Sequence, residues 1–150
     1  MSTLSHNSGP LDHLSSAAVT RSASDPAYQA YQILHVAFII APIIAGIDKF
    51  LHLLINWDQY LAPVVSRILG GHGHAFMLVV GVIEIIAGIG VAWRPRWFGY
   101  VVCAWLLGII INLLLVPGFY DIALRDLGLA LCALALARLS LVFDVADTQR

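Results

Sequence analysis

The sequence predicts an all-α integral membrane protein, a four-helix transmembrane bundle with almost nothing folded outside the bilayer. Two observations carry this. Of the 150 residues, 60% are hydrophobic and only 11% charged, with a mean hydropathy of +0.86, whereas soluble domains carry roughly 25% charged residues. The apolar residues also fall in four long blocks rather than in an amphipathic alternation. Blocks of about 20–25 residues at 1.5 Å per residue cross roughly 30 Å of hydrocarbon.

Residues 1–30 are rich in Ser, Asp, Asn, Gly and Pro and read as a flexible polar tail. They lack the basic start and apolar stretch of a signal peptide. Asp25-Pro26 closes the tail, and Tyr28 and Tyr31 announce the membrane interface. The transmembrane domain then covers residues 31–143. Its first span runs from about Tyr31 to Ile55, contains Pro42, and is closed by Trp57 and Tyr60. Residues 57–70 are too short to cross and predict a short interfacial helix or loop.

The second span, His72 to Trp93, is rich in glycines that let helices approach closely. Arg94-Pro95-Arg96 is a tight basic turn flanked by Trp93 and Trp97, a membrane anchor in its own right. The third span runs from Trp97 to about Val116 and is broken by Pro117-Gly118. The fourth runs from Ile122 to Phe143, and residues 144–150 form a short polar tail. Four spans put both termini on one side with Arg21, Arg94, Arg96, Arg138 and Arg150, which places them in the cytoplasm by the positive-inside rule.

Charges inside spans cost about 2.5–3.5 kcal/mol each near the membrane centre, so their placement is informative. Asp48, Lys49 and His52 lie in the outer half of the first span, Glu84 near the middle of the second, Asn112 in the outer part of the third, and Arg125-Asp126 at the outer start of the fourth. The cytoplasmic halves are apolar apart from His35 and a snorkelling Arg138. In a continuous helix, His52 shares a face with both Asp48 and Lys49. The three acids and two bases of the set nearly neutralise one another, as a register-fixing network of ion pairs does. The same set also suits a polar pocket that binds a small molecule or relays protons, with Glu84 and His52 as the titrating groups.

His72 and His74 form an HxH at the mouth of the second span, on the same side as His52 and Asp58. They are the weak metal candidates; beside Gly70-Gly71 a flexible turn is the plainer reading, and neither metal nor haem is expected. Cys103 and Cys132 differ in depth by roughly 7–8 Å, more than the usual Cα separation of a disulfide. They are expected to be free thiols buried in apolar surroundings. A net charge of −1 gives no reason to expect nucleic acid as a partner.

Three segments together resemble a known group: AGIDKFLH at the end of the first span, GVIEIIAGIGVAW in the second and RDLGLALCALALARL in the fourth. Across about residues 30–143 the chain is similar to the DoxX-like family of four-helix bacterial inner-membrane proteins, relatives of the DoxD-type subunits of thiosulfate:quinone oxidoreductases. The matching positions are Gly46, Lys49, Glu84, Gly88, Arg125 and Asp126. The resemblance implies an accessory or anchor subunit of a quinone- or thiol-linked redox system in the bacterial inner membrane, with a redox-enzyme subunit or a second copy of the chain as partner. The sequence has no cysteine pair or other electron carrier, so it leaves open whether the chain is itself an enzyme. A small transporter or ligand-binding protein using Glu84 and His52 is the first alternative, and a purely structural scaffold the second.

Overall fold

The computed structural model describes residues 25–147, and among them every regular element is helical. The expected tail therefore lies mostly outside the described residues. Helix α1 spans Pro26–Leu51, a 3-10 turn Trp57–Tyr60, α2 Pro63–Ile68, α3 Gly73–Trp93, α4 Pro95–Leu114 and α5 Tyr120–Asp147. Helices α1, α3, α4 and α5 are each long and apolar enough to cross a membrane. The short 3-10 turn and α2 fill the place of the interfacial segment.

The element ends follow local chemistry. Helix α1 starts five residues before the predicted span start at Tyr31, because Asp25 accepts the Ala27 N–H at 3.0 Å and Pro26 sits at the first helical position. It also ends four residues early. His52 takes a left-handed conformation (φ 53°) and terminates the helix at Leu51. Gly70 and Gly71 (φ 59° and 88°) turn the chain into α3, and Gly118 (φ 96°) turns it from α4 into α5. At its far end α5 continues to Asp147, beyond the predicted limit at Phe143.

Contacts at four helix interfaces fix an up-down-up-down arrangement. Gly46 of α1 faces Gly81 of α3, and Gly88 lies against Ile39 and Ile43, so α1 and α3 run antiparallel at close range. Phe98 covers Gly90 between α3 and α4, and Ala137 covers Gly99 between α4 and α5. Tyr28 and Tyr31 pack on Phe143, closing α5 back onto α1. The most extensive packing is within the α1/α3 and α4/α5 pairs.

Buried positions recur every three or four residues. In α3 they are Met77, Val80, Gly81, Glu84, Ala87, Gly88 and Val91; in α5, Ala123, Asp126, Ala130, Ala133, Ala137 and Ser140 fall on the same seam. Small residues dominate both, as membrane helices require when lipid offers no hydrophobic drive between them. The outward faces are the reverse of a soluble protein. Ile86 is 57% exposed and Leu107 44%, well inside long helices. Such continuous apolar surface matches a lipid solvent.

At the end carrying the α3–α4 turn, a single residue, Arg94, separates the two helices. Pro95 has no N–H to offer the Val91 carbonyl one turn back. His35 of α1 supplies it, donating from Nε2 at 3.0 Å, while its ring stacks on Tyr31. His35 thus works as a structural donor. Arg138 is exposed, as expected. Of the cysteines, both are free; Cys103 packs against the core half-buried, but Cys132 lies on the exposed face rather than in the protein interior.

The closest backbone approach is at Gly46, where an added Cβ would stand 2.5 Å from the Gly81 carbonyl oxygen. Gly46→Ala is expected to lower stability in mild detergent by about 1–3 kcal/mol. Gly128→Ala, where an added methyl meets nothing within 4 Å, is the matched control. Thermal unfolding of both variants checks this, and equal midpoints would show that the α1/α3 contact does not limit stability.

Candidate functional site

The site is built where the C-terminal end of α1 meets α3. Side chains on a helix lean toward its own N-terminus. In antiparallel neighbours, Lys49 near the end of α1 therefore leans into the membrane, and Glu84 midway along α3 leans outward. They meet: Lys49 Nζ lies 2.5 Å from Glu84 Oε2, with the lysine side chain 3% and the glutamate side chain 11% exposed. The other two spans contribute to the same point. Trp105 of α4 places its indole N–H beside Glu84, buried but without a geometrically complete hydrogen bond. Asp126 of α5 is buried within electrostatic range of the same carboxylate.

A second layer closes this end of the bundle. Asp48 is buried and accepts three hydrogen bonds, from the Leu53 N–H at 3.0 Å, the Leu54 N–H at 2.9 Å and the Trp57 indole at 2.7 Å. The chain just past α1 is thereby folded back onto the helix end. The same indole ring receives the Lys49 ammonium on its face, 3.8 Å from the ring centroid. Trp57 thus ties the acid and the base of adjacent positions together.

Asn112 acts elsewhere. Its amide donates to the Tyr60 carbonyl at 2.6 Å and accepts the Ala62 N–H at 3.0 Å. It holds the loop backbone to α4 on either side of Leu61, and Ala62 is fully buried as a result. Tyr60 also meets Phe119 edge to face at 5.0 Å. The segment between α1 and α2 is a fastened roof over the bundle.

The predicted set therefore divides. Lys49 and Glu84 meet, Asp126 is buried within electrostatic range of Glu84, and Asp48 joins Lys49 through Trp57. Asn112 is set apart on the loop backbone. Arg125 bonds Asp126 through Nε and Nη2 at 3.1 and 3.0 Å, but its side chain is 65% exposed and it stays at the rim. The expected pairing of His52 with Asp48 and Lys49 on one helical face does not form. The helix ends before His52, which is exposed and stacked on His74, with ring centroids 5.4 Å apart. His72 and His74 also separate, since His72 Nδ1 bonds the Leu69 carbonyl at 3.0 Å whereas His74 Nδ1 bonds Asp58 Oδ2 at 3.0 Å. Trp57 was legible only as an interfacial aromatic and Trp105 not at all. The signal for both is an indole N–H that needs a partner once buried.

Elsewhere on α1, the helix and Trp57 border an apolar groove of about 480 Å³ lined by Ala37, Ala41, Ala45 and neighbouring residues. Comparison with protein-family models, with curated proteins and with solved structures finds no match to this chain.

Removing one member of a buried ion pair strands the other, at a cost of about 3–5 kcal/mol. Lys49→Met is expected to destabilise the bundle by that order, and the double variant Lys49→Met/Glu84→Met to recover most of the loss. A double-mutant cycle in detergent measures this, and additive effects would disprove the coupling.

Proposed function

We propose that this chain is a non-catalytic anchor or accessory subunit of a membrane redox system in the bacterial inner membrane. The observation that carries the reading is that its intramembrane charges are engaged with one another. Lys49 is bound to Glu84 and Trp57, Asp48 to the loop, and Asp126 to Arg125. These contacts tie the helices and the roof together and hold them in register. A long apolar exterior with a fastened outer loop suits a unit that docks against another membrane protein.

The redox direction rests on the resemblance to the DoxX-like family at Gly46, Lys49, Glu84, Gly88, Arg125 and Asp126. A quinone or a thiol compound is the substrate class of the system that the chain would serve. The termini face the cytoplasm in this reading, because Arg94, Arg96 and Arg138 lie at their end of the bundle. At the opposite end, Lys49 and Arg125 are both engaged with carboxylates. The transporter reading has less support, since His52 faces His74 at the surface instead of sharing a path with Glu84.

Purification from native membranes in mild detergent is expected to recover an oxidoreductase with this chain, and deletion to impair thiol- or quinone-dependent respiration. Recovery as a lone homo-oligomer, with no redox phenotype on deletion, would overturn the proposal.

A further inference from the structure

One cluster outside the ion-pair site remains unexplained by it. His52, at the end of α1, Asp58, in the 3-10 turn, and His74, in the first turn of α3, each bring one ligand atom to within 4.8 Å of the others. Two imidazoles and a carboxylate are the donors that divalent zinc accepts. The residues come from three separate elements, so their convergence is tertiary and not a matter of sequence spacing. His52 reaches its place through the left-handed backbone (φ 53°), a conformation uncommon outside glycine. The imidazoles of His52 and His74 stack, with their planes 26° apart, and both residues are exposed. Asp58 already holds His74 through Oδ2, while its Oδ1 is buried and has no hydrogen-bond partner. A carboxylate oxygen without a partner has unspent capacity as a ligand.

We propose that His52, Asp58 and His74 form a binding site for a zinc-class divalent cation at the outer mouth of the bundle. The three side chains supply three ligands, and water completes the coordination. The ligands sit within 2.0–2.2 Å of zinc in such sites, so modest rotamer turns draw the present cluster together. The cation joins α1, the roof and α3. Asp58 directly follows Trp57, whose ring lies on Lys49, so occupancy stiffens the cover over the buried pair. The inference is independent of the redox partnership proposed above.

The test uses the full chain, purified without a polyhistidine tag and stripped with chelator. Zinc chloride is then titrated by calorimetry, with metal content and thermal midpoint measured in parallel. The expected result is one zinc per chain, a raised midpoint, and at least a tenfold loss of affinity in His52→Ala, His74→Ala and Asp58→Asn. His72→Ala, whose imidazole bonds the Leu69 carbonyl instead, is expected to bind as the parent does. These residues lie at the surface, and unchanged circular dichroism of each variant certifies its fold. Absence of stoichiometric zinc, or equal binding by the three ligand variants and the parent, overturns the proposal. Loss in His72→Ala with retention in His52→Ala does so equally, by moving the site to the HxH pair.

Discussion

A lysine and a glutamate alone in hydrocarbon each cost several kcal/mol, and together they can be neutral to the membrane. In this bundle the Lys49–Glu84 contact at 2.5 Å is the point to which the remaining geometry answers. It exists only because α1 and α3 are close. That closeness exists only because Gly46 and Gly81 place backbone against backbone. The pair in turn fixes the axial register of the two helices, since a shift of either by one turn would leave two isolated charges in the bilayer. Packing and electrostatics thus specify the same alignment, and neither is sufficient alone.

The two ends of the bundle solve different problems. At the end with the one-residue α3–α4 turn, helices are joined with little chain and sealed by an aromatic cluster of Tyr28, Tyr31 and Phe143. At the other end, a long connection must be held down without a hydrophobic core of its own. Here polar side chains that rise from the spans do the holding: Asp48 takes the backbone just after α1, and Asn112 takes it around Leu61. The asymmetry of polar residues between the two halves is therefore largely the chemistry of fastening a loop.

Fold class and the number of spans were legible because hydrocarbon thickness imposes a length on apolar blocks that no other requirement mimics. Depth was legible for the same reason, and it put Lys49, Glu84 and Asp126 in the same half of the bundle. Helix rotation was hidden, because in all-apolar spans both faces look alike to a hydropathy profile. The information was present in small and polar residues: Gly81, Glu84, Gly88 and Val91 recur on one seam, as do Asp126, Ala130, Ala133 and Ala137. What misled the reading of His52 was the assumption of an unbroken helix to Ile55. No glycine or proline marks the stop at Leu51, and the stop is instead made by Asp48 capturing later amides, a tertiary effect that spacing alone does not reveal. Asp25-Pro26 illustrates the opposite case, where a local cap sets the boundary and the sequence pattern already contains it.

The hydrogen bond from His35 to Val91 has a bearing on assembly. In the bilayer a backbone carbonyl without a donor is expensive. The α3–α4 hairpin carries one, because Pro95 cannot close its own turn. Inserted by itself, that hairpin is chemically incomplete, and only a helix made earlier in translation completes it. The order of synthesis is therefore also the order of need: α1 is already in the membrane when the hairpin arrives in want of a proton donor. The compactness of the later turn is thus borrowed from the first helix, and the second and third spans are not an autonomous unit of this protein.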